Sequence, residues 1–146
     1  MSLRGPVIDG RECSLAMTVQ SPTTGQRATV SAIVDTGCTA IAIRRDIAVR
    51  LGLPVVDTRA VSTASSGAAR IKTELVIGTI FLEKEGKTAM SLQEMVVTDM
   101  EDEMLFGMAG MRGGILTVDL VRNRWEWRLM AVSQFQLLPP GAIPTA

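Results

Sequence analysis

One carboxylate with a distinctive setting is Asp35, which follows the apolar pair Ile33 and Val34 and precedes Thr36 and Gly37. An ionised carboxylate taken out of water is costly unless it is paired or hydrogen-bonded. Gly37 allows the backbone to approach that carboxylate closely, and its amide can donate a hydrogen bond to it. Asp35 is therefore a candidate general acid or base. An ordinary β-turn, with Asp accepting amide hydrogen bonds and Gly at positive φ, is the alternative interpretation of the tripeptide.

The residue types that are missing narrow the chemistry further. The chain of 146 residues contains no histidine and no tyrosine. This excludes Ser-His-Asp and Cys-His arrangements and the histidine-based metalloprotease helix. Its two cysteines, Cys13 and Cys38, allow one disulfide at most and form no Cys-x-x-Cys zinc pair. We expect no metal and no cofactor, so carboxylates would carry the proton chemistry of any catalyst.

Composition and charge place the chain among globular proteins. It is 47% hydrophobic and 21% charged, with fifteen basic and fifteen acidic residues. The zero net charge does not favour a nucleic-acid partner or an anionic membrane surface. No apolar run reaches the roughly 18 residues of a membrane span, and the N-terminus has no apolar core of signal-peptide length. We expect a cytoplasmic domain that binds neither nucleic acid nor membrane.

The elements around Asp35 are predicted to be a hairpin and a short helix. Cys13–Gln20 and Arg27–Asp35 read as strands joined by the turn residues SPTTGQ. In AIAIRRDIAVRLGLP, apolar residues recur every four positions from Ile43 to Leu51, which predicts a helix that ends at Gly52.

The rest of the chain is predicted to add short strands. VVDTRAVSTASSGAARIKTELVIG reads as strand, small-residue loop and strand, and two further strands flank the turn EKEGK. The acidic loop DMEDE leads into MLFGMAGMRGG, and ILTVDLVRNRWEWRL reads as a closing hairpin with Trp125 and Trp127 on one face. The pattern predicts an all-β domain with one or two short helices over residues 13–130, after an N-terminal lead-in (1–12) and before a loose, proline-rich tail (131–146).

The Asp35-Thr36-Gly37 loop after an apolar strand resembles the active-site loop of the retropepsin-like aspartic proteases, in particular their small bacterial and archaeal members. Three further features lie where that family has them. A small-residue hairpin tip, Ser62–Ala69, takes the position of the flap. The step LFG, Leu105–Gly107, precedes a short helical or turn segment, and a C-terminal strand follows in VDLVRNRWEW. The resemblance implies a closed or partly closed single-lobe acid-protease barrel.

The resemblance also assigns roles to residues. Two carboxyls about 3 Å apart cannot both ionise, so they share one proton and supply both a base and an acid. This chain has one such motif, so the resemblance implies a homodimer in which Asp35 of each subunit hydrolyses a peptide bound as an extended strand. The implied catalytic residues are Asp35, Thr36 and Gly37. The implied substrate-binding flap residues are Thr63, Ala64, Ser65, Ser66 and Gly67, and Cys38, Leu105, Phe106 and Gly107 support the catalytic loop.

Departures from the family pattern leave a second function open. Met108 and Ala109 stand where viral members carry Arg-Asn, and the flap has no aromatic residue. A catalytically inactive peptide-binding or dimerisation module with the same fold is therefore the alternative to an endopeptidase. We expect Cys38 to be a small filler of low reactivity, because neighbouring carboxylates raise the pKa of a thiol.

Overall fold

The computed structural model describes residues 1–62 and 69–139. Over these ranges the chain forms eleven strands and two short helices, as the all-β prediction expects. No helix in the described ranges is both long and apolar enough to cross a membrane. The elements are β1 (Ser2–Ile8), β2 (Glu12–Gln20), β3 (Arg27–Val34), β4 (Ile41–Arg44), α1 (Arg45–Leu51), β5 (Val55–Val61), β6 (Ile71–Lys84), β7 (Lys87–Thr98), β8 (Met104–Phe106), α2 (Met108–Met111), β9 (Gly114–Asp119), β10 (Arg124–Leu129) and β11 (Gln136–Leu137).

The strands form one strongly bent sheet that partly closes on itself. Its order is β5-β6-β7-β4-β8-β3-β2-β1-β10-β9, and β11 pairs with β7. A further antiparallel pairing joins β2 to β6, with Val19 opposite Ile80. This pairing brings distant parts of the strand path together, which confirms the partly closed arrangement. The apolar core is buried on the enclosed side of this sheet.

The predicted hairpin forms, and the predicted helix forms over Arg45–Leu51. Ile43, which the sequence pattern assigned to the apolar stripe of that helix, lies instead in the strand β4. β2 and β3 pair antiparallel from Cys13 opposite Val34 to Gln20 opposite Arg27. The helix α1 buries Ile47, Ala48 and Leu51. It ends at Gly52, whose φ of 64° lies in the left-handed region that glycine adopts without steric cost.

Two strands were predicted where the structure has one. β6 continues through Gly78 without a turn, so the strand after the small-residue loop and the strand before EKEGK are the same element. Gly78 lies where a side chain would contact Met95 and Val19 across the sheet. This glycine therefore serves close packing, which the sequence does not distinguish from a turn.

Both ends of the described chain take part in the fold, which differs from the predicted lead-in and tail. Within residues 1–12, β1 pairs with β10, with Leu3 opposite Trp127, and also with β2. After residue 130, Phe135 is buried and its ring lies 5.7 Å from that of Trp127. Burial of Leu3 and Phe135 gives these segments the apolar contacts that fix them. Residues 140–146 of the predicted tail lie outside the described residues.

The two tryptophans belong to the core. Trp125 and Trp127 are 2% and 1% exposed, so the predicted shared face of β10 packs inward. Trp127 makes an edge-to-face contact with Phe106, at 5.2 Å between ring centroids. Because Phe106 belongs to the LFG step, this aromatic cluster ties the closing hairpin to the segment beneath Asp35.

Candidate active site

Asp35 is positioned by the end of β3 and by its parallel neighbour β8. Val34 lies opposite Phe106 in that pairing, and the amide of Asp35 donates to the carbonyl of Phe106 at 3.1 Å. The amide of Cys38 donates back to the carbonyl of Asp35 at 3.2 Å, which closes a turn. The chain therefore leaves the sheet at Asp35 with its backbone held on both sides.

The Asp35 side chain is half-buried, and one of its oxygens is held. The amide of Gly37 donates to Oδ1 at 2.9 Å, which is the hydrogen bond expected from the sequence. Within the described chain no other donor contacts this carboxylate, so Oδ2 is available to a ligand. Thr36 is exposed and its hydroxyl makes no hydrogen bond within the described residues.

Gly107 packs directly beneath the Asp35 loop. The two residues after it donate to that loop, Met108 to the carbonyl of Cys38 at 2.8 Å and Ala109 to the carbonyl of Thr39 at 3.0 Å. A Cβ atom at Gly107 would lie under 3.0 Å from the carbonyl oxygens of Cys38 and Ala40, closer than real Cβ atoms approach. A side chain at this position would therefore collide with the backbone of the Asp35 loop.

Cys38 is half-buried, and its thiol hydrogen-bonds a backbone carbonyl and not the Asp35 carboxylate. Its Sγ donates to the carbonyl of Ala40 at 3.2 Å. Burial is the main cause that raises the pKa of the Cys38 thiol; the Asp35 charge also raises it, while the hydrogen bond to Ala40 lowers it. The expected direction of the shift is confirmed, although burial contributes more than the carboxylate. Both cysteines are free thiols.

We expect Asp35→Asn to speed alkylation of Cys38 by iodoacetamide at neutral pH, by a factor of about two to five. Removing the Asp35 charge lowers the pKa of the thiol, so more of it is thiolate, the reactive form. Mass spectrometry of the Cys38 peptide over time measures the rate. Cys13, whose pKa is raised by burial alone, is the internal reference and should react at the same rate in both proteins. An unchanged or slower rate at Cys38 would show that the Asp35 charge does not act on the thiol.

A cavity of about 540 Å³ opens beside Asp35. Sequence reasoning found four of its wall residues, Asp35, Gly37, Cys38 and Leu105. It missed the wall residues on β4, on β7 and in the acidic loop. The alternation of side chains along a strand identifies its two faces, but it does not show which of the two faces lines the cavity. The missed residues are Thr39, Ala40, Ala42, Val61, Ser62, Val96, Thr98, Asp99, Met100 and Asp102.

The predicted flap residues Thr63, Ala64, Ser65, Ser66 and Gly67 lie outside the described residues. The residues just before them, Val61 at the end of β5 and Ser62, line the cavity. The end of β5 therefore forms part of the cavity wall. In the described ranges no group of three or more His, Cys, Asp or Glu side chains is arranged to hold a metal ion.

Comparison with known families decides the relationship. A family model described as "gag-polyprotein putative aspartyl protease" matches residues 23–112, which is more than half of the chain and includes Asp35 and Gly107. The chain belongs to this retropepsin-like family. The resemblance seen in the sequence is thereby confirmed.

The alignment with a solved structure supports the retropepsin-like fold. A retropepsin-like aspartic protease from Rickettsia conorii aligns over 94% of both chains, with a TM-score of 0.62 and 16% sequence identity. A retroviral protease-like domain from Leishmania major also matches, covering 89% of this chain and 98% of its own, with a TM-score of 0.44 and 15% identity. No curated protein sequence matches the chain.

Proposed function

We propose that this protein is an aspartic endopeptidase whose active site is completed by a second copy of the chain. The observation that carries the proposal is the position of Asp35. It ends a strand, its Oδ2 has no donor within the described chain, and it lies on the wall of a cavity of about 540 Å³. In a retropepsin-like chain, this is the arrangement that a water-activating carboxylate needs.

The proposed reaction is the hydrolysis of a peptide bond by water. One carboxylate accepts a proton from the water as its oxygen attacks the carbonyl carbon, and the other carboxyl protonates the carbonyl oxygen. As the C–N bond of the tetrahedral intermediate breaks, the carboxyl that took the proton of the water passes it to the amide nitrogen. A hydroxyl of the intermediate returns a proton to the other carboxylate, which releases an amine and a carboxylic acid and restores the pair. Gly37 fixes Oδ1 of Asp35, which leaves Oδ2 for the water.

The second carboxylate is proposed to be Asp35 of the partner subunit. The other two carboxylates on the cavity wall, Asp99 and Asp102, belong to the exposed acidic loop, and Asp99 already pairs with Arg45 at 2.9 Å. Within the described residues, neither side chain accepts a backbone hydrogen bond as Asp35 does from Gly37. The hydroxyl of Thr36, free within the described chain, could donate to the same loop of the second subunit.

The edge of β9 with which no other described strand pairs supports the dimer proposal. β9 is the last strand of the sheet path, and it exposes 45% of Ile115. An unprotected edge with apolar side chains is a surface on which a second chain can pair. The helix α2 donates hydrogen bonds to the Asp35 loop, and β9 follows α2 in the sequence. The edge strand is therefore connected to the site by a short segment.

Mixing wild-type chains with inactive Asp35→Asn chains tests whether the site is shared. If only wild-type pairs are active, random pairing in an equal mixture leaves about half of the activity per wild-type chain, and a threefold excess of the variant leaves about a quarter. Specific activity should also fall on dilution. The measurement is initial rate on a fluorogenic peptide after the chains are refolded together, with size-exclusion chromatography at the same concentrations.

The matched control adds Asp57→Asn chains instead, which keep Asp35 and change an exposed carboxylate away from the cavity. These should contribute their own activity in proportion to their amount. Activity that stays proportional to the wild-type amount in the Asp35→Asn mixtures, at concentrations where only monomer elutes, would contradict a shared site.

A further inference from the structure

We propose that Arg44 and Arg45 are positioning residues for substrate binding, because they hold the loop 99–103, which forms one wall of the cavity beside Asp35. The inference rests on the function proposed above and concerns how tightly a peptide binds, not the chemistry at Asp35. Three observations carry it: the loop lines the cavity, each arginine hydrogen-bonds the loop directly, and the loop has little burial of its own.

The loop 99–103 connects β7 to β8 beside the cavity. Its residues Asp99, Met100 and Asp102 line the cavity. Met100 is half-buried, whereas Asp99 and Asp102 are exposed. A connection with so little buried surface is held in place mainly by the contacts that its polar groups make.

Arg44 ends β4, the strand that pairs with both β7 and β8. Its backbone amide donates to the carbonyl of Glu103 at 3.0 Å, and its Nη1 donates to the carbonyl of Glu101 at 2.9 Å. The guanidinium is itself fixed by Asp46, because Nε donates to Oδ1 at 2.6 Å and Nη2 donates to Oδ2 at 3.2 Å. A two-point contact of this kind limits the rotation of the guanidinium. Arg44 therefore gives the loop a donor whose position is already set.

Arg45 begins α1 and connects the loop to β6. Its Nε donates to Oδ1 of Asp99 at 2.9 Å, and its Nη1 lies 3.7 Å from Oε2 of Glu74 on β6. The last residue of the loop is held separately, since the carboxylate of Glu103 accepts a hydrogen bond from the amide of Ser31 at 3.3 Å. The loop is therefore fastened to the sheet at both of its ends.

These contacts keep the cavity wall in the position that a substrate meets. Without them the loop would sample other positions, and a peptide would have to order the loop as it binds. An exposed ion pair is weak, so the loss of one arginine corresponds to a rise in KM of about fivefold at most. The chemistry should change less, because the hydrogen bonds of Asp35 join it to Gly37, Cys38 and Phe106, which lie outside the loop.

Substitution of the two arginines tests this separation of KM from kcat. Methionine keeps most of the apolar stem and removes the charge and every donor. We expect Arg45→Met to raise KM for a cleaved fluorogenic peptide about fivefold while kcat stays within about twofold of the wild type. Arg44→Met should raise KM in the same way. Arg45→Lys keeps a cation beside Asp99 and should bring KM back to within about twofold of the wild type.

Arg4→Met is the matched control. Arg4 forms an exposed ion pair of the same kind with Glu126, at 2.7 Å, but neither residue lines the cavity. Its KM and kcat should stay at their wild-type values. The melting temperatures of all these variants should stay close to that of the wild type, because exposed ion pairs contribute little to global stability.

NMR relaxation of the free protein tests the loop without any substrate. Backbone order parameters of residues 99–103 should be about 0.85 in the wild type and below about 0.6 in the double variant Arg44→Met/Arg45→Met. Arg4→Met should leave them unchanged. Equal order parameters in the wild type and the double variant would show that the arginines do not hold the loop, whatever the kinetics.

The outcomes separate this inference from the function on which it rests. Cleavage that depends on Asp35 with KM unchanged in both arginine variants overturns the positioning role and leaves the peptidase intact. A fall in kcat at constant KM also overturns it, because the arginines would then act on the chemistry. If no peptide is cleaved, calorimetry with the same peptides replaces the kinetics. Weaker binding by the double variant then supports the positioning role in a protein that is not a peptidase, and equal binding overturns it.

Discussion

Replacing Asp35 by asparagine is expected to lower kcat/KM for peptide hydrolysis by at least about 10³-fold. An amide cannot accept the proton of the attacking water, so the pair of carboxyls is lost even when the site keeps its shape. The fold should tolerate the change, because asparagine Oδ1 can still accept from the amide of Gly37, the one hydrogen bond that the described chain gives this side chain. Steady-state kinetics and thermal unfolding of the same preparations measure both effects.

Asp57→Asn is the matched control, since Asp57 also accepts a hydrogen bond from a nearby backbone amide, that of Thr58 at 2.8 Å. It should retain wild-type kinetics. Full activity in Asp35→Asn would remove Asp35 from the mechanism. If the wild type binds peptides without cleaving them and Asp35→Asn binds them equally well, the protein is the inactive peptide-binding module and not the peptidase.

Gly107→Ala is expected to cost about 3 kcal/mol or more of unfolding free energy, at the upper end of what overpacking costs, and to abolish activity. The added methyl group would meet the carbonyl oxygens of Ala40 and Cys38, which are backbone atoms and cannot rotate away. Relief requires the Asp35 loop to move, which breaks the hydrogen bonds that Met108 and Ala109 donate to it. For a chain of this size the melting temperature should fall by about 10 °C.

Gly86→Ala separates this collision from the general cost of replacing a glycine. Gly86 has a positive φ of 75° in the β6–β7 turn and open space around its Cα. Alanine there should cost about 1 kcal/mol of backbone strain and leave the kinetics unchanged. A Gly107→Ala protein as stable and active as Gly86→Ala would show that the Asp35 loop does not pack against Gly107 as closely as described.

The Asp35 loop and the segment that supports it could be predicted because their signals are local in sequence. Asp35-Thr36-Gly37 and the LFG step are short, and each sits at the end of an apolar strand. The alternation of Trp125 and Trp127 and the four-residue spacing in α1 likewise report directly on burial. The hydrogen bond from Gly37 to Asp35 spans two residues, so it needed no knowledge of the rest of the fold.

The parts that the sequence did not predict depend on contacts between distant segments. The strand β1 is interrupted by Gly5 and Pro6, and its pairing with β10 and β2 makes it part of the sheet. Thr98 resembles any strand-end threonine until β4 is placed beside β7 and the cavity face is known. Phe135 lies in a segment rich in polar and turn residues, and its burial follows from the aromatic rings of Phe106 and Trp127.

The pairing of β3 with β8 has a consequence for synthesis of the protein on the ribosome. The amide of Asp35 needs the carbonyl of Phe106 as its hydrogen-bond acceptor. A neighbouring hydrogen bond, from the amide of Ser31 to the carboxylate of Glu103, joins residues that are 72 positions apart. The strand β1 pairs with β10 later still, because the ion pair between Arg4 and Glu126 joins residues that are 122 positions apart. Loops of this length close slowly compared with local turns. A nascent chain therefore emerges with Asp35 unsupported until Phe106 and the rest of the LFG step have been synthesised.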